Sequence, residues 1–204
     1  LVQWLLIGIC FIQYLSQSLP LLPPCLSPPA PDGQEYISDE SHRPEIKYKD
    51  IADLPSSLDW RWHQQQSYTS RVKNSLVQQY CGACWAFAAT SALTDRINIH
   101  LNHQFPEWSL SVQTVLDCVY TDQHDPPQFG GCNGGNPADA YEYIRQYGIA
   151  DDTCSPYTAT GFDPHSNPNS CNQVTKCGEC SSHNHCNPQY PYITWRVSSY
   201  GNVS

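Results

Sequence analysis

Two cysteines, Cys81 and Cys84, lie three positions apart in residues 78–87, which read QQYCGACWAF. A cysteine in this pattern can be a nucleophile, half of a redox pair, a metal ligand or one end of a structural disulfide. Cysteine attacks as the thiolate, and the partial positive charge of a helix N-terminus lowers the pKa of its thiol. Because a helix is expected to begin at Cys84, this position favours Cys84 over Cys81 as the nucleophile.

How the cysteines are interpreted depends on the cellular compartment of the protein. Residues 4–15 form an apolar run too short to cross a membrane. We therefore interpret residues 1–19 as a signal peptide. Because the chain begins at Leu1 and contains no Met, we expect the N-terminus of this signal peptide to be incomplete. A buried N-terminal helix is the alternative. Secretion predicts a lysosomal or extracellular protein without stable membrane insertion, in an environment where disulfides persist.

The eleven cysteines divide unevenly. Cys10 lies in the expected signal peptide and Cys25 in a proline-rich segment, while nine lie between Cys81 and Cys186. At least one thiol of the nine therefore has no partner within that set.

Two helices are expected to carry the first motifs. Residues 84–100 form the first, with one apolar face at spacing four that contains Ala89, Leu93 and Ile97. Residues 111–118 form the second, whose inward side chains are Val112, Val115 and Leu116.

A third helix has the clearest signals. Asn136 is a good N-cap, Pro137 suits the first turn and Gly148 is a C-terminal stop. Residues 151–189 are predicted to be loops held by disulfides, and residues 191–201 resemble the beginning of a strand.

Composition also divides the chain. Residues 20–53 are rich in proline and charge, cannot bury a core, and are interpreted as a short propeptide. From Leu54 the sequence becomes aromatic-rich, so residues 54–204 are taken as the folded domain. The net charge of −9 makes nucleic acid a poor partner, because phosphate binding requires a basic surface.

Residues 81–85, CGACW, resemble the papain-family signature C-G-[SA]-C-[WY]. Three later segments also resemble that family, in the same order along the chain: LSVQTVLDC (110–118), GCNGGNP (131–137) and QYGI (146–149). Four other segments look most like the cathepsin X branch of that family, also called cathepsin Z: RPEIKYKDIADLPSSLDWRW, SALTDRINI, DDTC and WRVSSYG. The resemblance covers residues 43–201. It implies an α+β papain-like fold, present here mostly as the helical left domain, with the β-rich right domain largely missing.

The disulfide pairing of the cysteines is implied by the family resemblance and could not be deduced from their spacing in the sequence. The implied bridges use eight of the nine cysteines and leave Cys84 as the nucleophile: Cys81–Cys132, Cys118–Cys171, Cys154–Cys177 and Cys180–Cys186. Members of the branch carry a short propeptide whose cysteine bonds the catalytic thiol. We therefore expect Cys25 to pair with Cys84 before activation. An unpaired or intermolecular Cys25 is the alternative.

Further site residues follow from the same resemblance. A Gln side chain and the N–H of the nucleophile should bind the oxyanion. Gln78 has the family spacing, six residues before Cys84, whereas another alignment places Ser75 there. We favour Gln78, which keeps an amide donor. Gly134 and Gly135 should offer backbone groups to an extended peptide substrate, although a tight turn also explains them.

Two departures from the branch concern activity. Its His-Ile-Pro loop, whose His binds a substrate carboxylate, corresponds here to Leu76, Val77 and Gln78, so carboxypeptidase and endopeptidase activity both stay open. The family's catalytic His and Asn lie about 130–150 residues after the nucleophile. That position is beyond Ser204, so we expect a sequence incomplete at its C-terminus and a fragment that is inactive alone.

The favoured function is a monomeric cysteine-type peptidase that acts on peptides or proteins through a thioester acyl-enzyme, with no cofactor and no metal. A redox C-x-x-C pair is disfavoured because the thioredoxin-type motif carries its Trp before the first Cys. A zinc knuckle at residues 177–186, with His183 and His185, competes with disulfides. A non-catalytic truncated homologue that acts as a secreted binding module, and an unrelated disulfide-stapled domain, are the remaining alternatives.

Overall fold

The computed structural model describes residues 55–77, 79–102, 107–120, 129–163, 165–182, 185–198 and 200. The helices in this part are α1 (Cys84–His100), α2 (Val112–Cys118), α3 (Pro137–Tyr147) and α4 (Gln173–Lys176). One antiparallel hairpin consists of β1 (Gly178–Ser182) and β2 (His185–Pro188). The class is therefore α+β. Within these ranges no helix is both long and apolar enough to cross a membrane.

Helix α1 lies at the centre of the core and packs against α2 and α3. Its predicted bounds are confirmed, and so is its apolar face, since Ala89, Leu93 and Ile97 are all buried. Burial of a Leu or Ile side chain contributes roughly 1.5–3 kcal/mol. This face therefore holds the helix, and with it the position of Cys84.

Helix α2 begins one residue later than predicted, because Ser111 is its N-cap and accepts a hydrogen bond from the N–H of Thr114 at 3.0 Å. The three predicted apolar residues are buried. So are the polar residues of the same helix, Gln113, Thr114 and Asp117. Burial on every side means that α2 needs polar partners from elsewhere in the chain.

Helix α3 is confirmed together with its end signals. The Asn136 side chain accepts a hydrogen bond from the N–H of Ala138 at 2.9 Å. At the other end Gly148 has a φ of 77°, and its N–H donates to the carbonyl of Ile144 at 2.9 Å. Glycine tolerates this left-handed conformation at little cost.

The prediction of loops over residues 151–189 was wrong in part, since α4 and the hairpin lie there. Asn172 and Thr175 form a reciprocal capping box that begins α4. In the hairpin, Cys180 faces Cys186 directly across the two strands. The strand expected at residues 191–201 is, in the described part, a single bridge in which Ile149 and Trp195 exchange hydrogen bonds of 2.9 and 2.8 Å.

Four disulfides join the described elements, and they are the four pairs implied by the family resemblance: Cys81–Cys132, Cys118–Cys171, Cys154–Cys177 and Cys180–Cys186. The first two connect cysteines 51 and 53 residues apart. Bridges that close loops of this length restrict the unfolded chain most strongly in the chain-entropy model.

Candidate active site

The segment before α1 is fixed against the loop that contains residues 131–135. Cys81 is bonded to Cys132, and the N–H of Gly82 donates to the carbonyl of Cys132 at 3.0 Å. A Cβ atom at Gly82 would lie 2.7 Å from that carbonyl oxygen. Glycine is therefore required between the bridge and the helix, because the two backbones approach so closely.

A second contact fixes the first turn of α1. The Trp85 side chain is 1% exposed, and its Nε1 donates to the carbonyl of Gly131 at 3.3 Å. A Cβ atom at Gly135 would lie 2.5 Å from Cε2 of the Trp85 ring. Residues 81–85 and 131–135, which are far apart in sequence, thus form one packed unit.

The two glycines proposed to bind substrate lie inside that unit. Gly134 has a φ of 90°, and its carbonyl accepts a hydrogen bond from the N–H of Gly130 at 2.8 Å. Gly134 and Gly135 are both buried. This geometry supports the tight-turn interpretation, while backbone contact of the pair with a peptide stays a prediction.

Cys84 is the first residue of α1 and is half-buried. The N-cap residue, Ala83, has no side chain that could accept from the first turn, so no side-chain cap occupies this end of the helix. The partial positive charge of a helix N-terminus favours a thiolate at this position. Cys84 therefore lies where the helix would favour the charged form of a reduced cysteine.

Cys84 is disulfide-bonded in this structure. The four bridges above use the other eight described cysteines and do not include it. Since Cys81 is bonded to Cys132, Cys81 and Cys84 are not a redox pair here. Cys25, the expected partner of Cys84, lies outside the described residues.

The zinc interpretation of residues 177–186 is also excluded for the cysteines of that segment. Cys177, Cys180 and Cys186 are all in disulfides, so they have no thiolate to offer a metal. Across the described ranges, no group of three or more His, Cys, Asp or Glu residues could hold a metal ion. His183 is not among the residues that the structure describes.

The loop before Cys81 carries the candidates for oxyanion binding. Tyr157 donates its hydroxyl to the carbonyl of Ser75 at 2.6 Å, and its ring meets that of Phe87 edge-on at 4.9 Å. Nε2 of Gln79 donates to the carbonyl of Ala159 at 2.8 Å. Gln78 lies outside the described residues, so the choice between Gln78 and Ser75 stays a prediction.

Two aspartates, Asp117, which is buried, and Asp139, which is half-buried, have raised pKa values. Burial raises the pKa of Asp117 to about 7, although a hydrogen bond from Gln113 acts in the opposite direction. Burial also raises the pKa of Asp139 to about 6. A charged carboxylate is disfavoured where water is excluded, so both groups hold their protons to a higher pH than an exposed aspartate.

Sequence reasoning missed Gln113 and Tyr157, whose hydrogen bonds link α2 to the loop before Cys81. A weak signal was present for Gln113, a polar residue within a short helix whose neighbours are mostly apolar. The sequence offered no signal for Tyr157, because its hydrogen-bond partner lies 82 residues away along the chain.

The motif around Cys84, the glycine loop (residues 131–135) and the four bridges are those that the resemblance to the papain family implies. Residues 54–203 match the family model described as papain family cysteine protease. The chain belongs to this family.

Among individual relatives, the chain is 39% identical to cathepsin Z of Onchocerca volvulus, over 74% of this chain and 44% of that protein. It is 40% identical to cathepsin L2 of Homo sapiens, over 52% of this chain and 28% of that protein. The solved structure of digestive procathepsin L2 from Tenebrio molitor gives a TM-score of 0.44 at 33% identity, over 57% of this chain and 33% of that one. The chain thus spans less than half the length of these relatives.

Proposed function

We propose that the protein is a peptidase in which the thiolate of Cys84 attacks the peptide carbonyl. The observation that carries this proposal is the placement of Cys84 at the N-terminus of α1, where no side chain caps the helix. The bridge Cys81–Cys132 and the packing of Trp85 against Gly135 hold that N-terminus in place. A preorganised nucleophile beside helix N–H groups suits acyl transfer.

In the proposed reaction, the Cys84 sulfur forms a bond to the scissile carbonyl carbon, and the carbonyl π electrons move to its oxygen. The N–H of Cys84 and the side-chain amide of Gln78 are the proposed donors to this oxyanion. Collapse breaks the C–N bond, and the amine leaves with a proton from the catalytic His that the family resemblance implies. Water then bonds to the acyl carbon while this His takes up a proton from it, the C–S bond breaks, and the acid is released, which restores the thiolate and the protonated His.

The finer specificity that we propose is cathepsin X-like, with Gly134 and Gly135 binding an extended peptide. Leu76 and Val77 are 50% and 45% exposed, so the loop before Cys81 presents apolar side chains to solvent. Lys73 lies 3.4 Å from the carboxylate of Asp152. Because Lys73 is already paired with a carboxylate, it gives no support for capture of a substrate C-terminus, and carboxypeptidase and endopeptidase cleavage both stay open.

We also propose that the protein is made as a latent precursor, with residues 1–19 as signal peptide, residues 20–53 as propeptide and Cys25 bonded to Cys84. The support is that Cys84 is disulfide-bonded while the other eight described cysteines pair with one another. These segments lie outside the described residues. If the unprocessed precursor were alkylated at Cys84 as readily as its Cys25→Ser variant, the latch would be refuted.

The peptidase proposal is tested on the full-length, processed and reduced protein. Wild type should hydrolyse an internally quenched peptide and bind a peptidyl epoxide covalently at Cys84, whereas Cys84→Ser should do neither. Substrates with free and amidated C-termini separate the two modes, because an endopeptidase cleaves both. A folded wild-type protein that neither hydrolyses peptides nor reacts with the epoxide would overturn the proposal and favour the secreted binding module.

A further inference from the structure

The side chain of Gln113, the second residue of α2, is 5% exposed and fully hydrogen-bonded. Its Nε2 donates to the carbonyl of Thr160 at 3.0 Å and to Oδ1 of Asp117 at 3.2 Å. Its Oε1 accepts from the N–H and the hydroxyl of Thr158 at 2.9 and 3.1 Å. An amide side chain has two N–H donors and two acceptor positions, so its whole capacity is used.

These bonds are made on both sides of Ala159. This residue is 1% exposed and has a φ of 54°, in the left-handed region. A residue with a Cβ atom adopts that conformation only at an energetic cost. The bonds from Gln113 to residues 158 and 160 offset that cost, so the turn at residues 157–160 depends on a side chain of α2.

The opposite side of the same turn holds the segment before the nucleophile, which we call the pre-nucleophile loop (residues 75–77 and 79). Gln79 donates to the carbonyl of Ala159 at 2.8 Å. Tyr157 donates to the carbonyl of Ser75 at 2.6 Å. The turn thus lies between Gln113 and the pre-nucleophile loop and contacts both.

We propose that Gln113 is a positioning residue for catalysis, because it holds the turn that holds the pre-nucleophile loop. It does not touch substrate. Its effect reaches the reaction through the pre-nucleophile loop, whose described residues flank the proposed oxyanion donor, Gln78, in the sequence. This proposal rests on the proposed peptidase function, since only a reaction that forms an oxyanion benefits from such positioning.

Hydrogen exchange of the full-length protein tests the structural step without any activity assay. Gln113→Met keeps the side-chain length and removes all four hydrogen bonds. We expect amides of the pre-nucleophile loop and of the turn to exchange at least tenfold faster, while those of α3 stay unchanged. Wild-type exchange in the loop of a folded Gln113→Met protein would overturn the proposal.

A matched control is Thr94→Val, which is isosteric and removes the hydroxyl of another buried residue of the core. Thr94 is 2% exposed and accepts from the N–H of Leu110 at 3.3 Å. This change should leave exchange in the pre-nucleophile loop as in wild type. If it accelerates exchange there as much as Gln113→Met does, the effect is general loosening and the proposal fails.

Tyr157→Phe keeps the ring contact with Phe87 and removes only the bond to Ser75. It should accelerate exchange in the pre-nucleophile loop and leave α2 unchanged. If Gln113→Met does not fold, hydrogen exchange of Tyr157→Phe tests the proposal by itself. Unchanged exchange in the pre-nucleophile loop of this variant would then overturn the proposal.

Kinetics test the catalytic step. We expect Gln113→Met to lower kcat roughly tenfold with KM within about twofold, because the lost interaction acts in the transition state. Alkylation of reduced Cys84 by iodoacetamide forms no oxyanion and should keep its wild-type rate. Equal losses in alkylation and in kcat would refute positioning. Wild-type protein without peptidase activity would refute the proposed function, while the exchange result would still decide the role of Gln113.

Discussion

Replacing the buried carboxyl of Asp117 should flatten the dependence of stability on pH. Asp117 is 5% exposed, and its Oδ1 accepts a hydrogen bond from Nε2 of Gln113 at 3.2 Å. Burial raises its pKa from 3.8 to about 7. Asp117→Asn keeps the shape of the side chain and removes the titrating proton.

The sign follows from proton binding. Below about pH 4 the carboxyl is protonated in the folded and unfolded chains alike. Between pH 4 and 7 the unfolded chain releases this proton and the folded chain keeps it, so the free energy of unfolding falls as pH rises. Above the folded-state pKa the loss levels off. The difference between 3.8 and about 7 amounts to roughly 4 kcal/mol at most.

The assay is urea unfolding of the oxidised full-length protein at several pH values from 4 to 8. Wild type should lose up to roughly 4 kcal/mol more than Asp117→Asn across this range, with the same slope against urea. Glu179→Gln, at an exposed position of β1, controls for the loss of one negative charge. Parallel curves for wild type and Asp117→Asn would refute the reasoning, since they would mean that Asp117 ionises normally in the folded protein.

Two further changes probe the glycine loop and the start of α3. Gly135→Ala places a Cβ atom 2.5 Å from the Trp85 ring. We therefore expect the folded protein to be destabilised by roughly 1–3 kcal/mol and reduced Cys84 to be alkylated more slowly. A wild-type melting temperature would contradict the clash. Asn136→Ala removes the cap of α3 and should cost about 1 kcal/mol, measured by urea unfolding, whereas Asn136→Ser should recover most of the loss.

The sequence predicted helices whose determinants are local. Asn136 and Gly148 lie at the two ends of α3, and the spacing of Ala89, Leu93 and Ile97 defines the buried face of α1. In each case the residues that decide the structure lie within a few turns of one another. Periodicity and capping rules describe that range well.

The missed features depend on partners that are distant in sequence. Gln113 is buried because Thr158, 45 residues later, satisfies its oxygen. Tyr157 meets Ser75 across 82 residues. Nothing in the local pattern around either residue indicates those partners, and the disulfide pairs were accessible only through resemblance to a known family. Long-range polar pairing was the part that the sequence alone could not supply.

The position of Cys84 combines both kinds of information. The helix that carries it is predicted locally, whereas its N-terminus is fixed by contacts of Cys81 and Trp85 with residues 131–135. An isolated peptide of residues 78–100 would keep the motif and lose those contacts. Its cysteine would then lie at a fraying helix end, where the partial charge that favours the thiolate is weakest. The proposed role of Cys84 as nucleophile therefore depends on the folded glycine loop as well as on the motif.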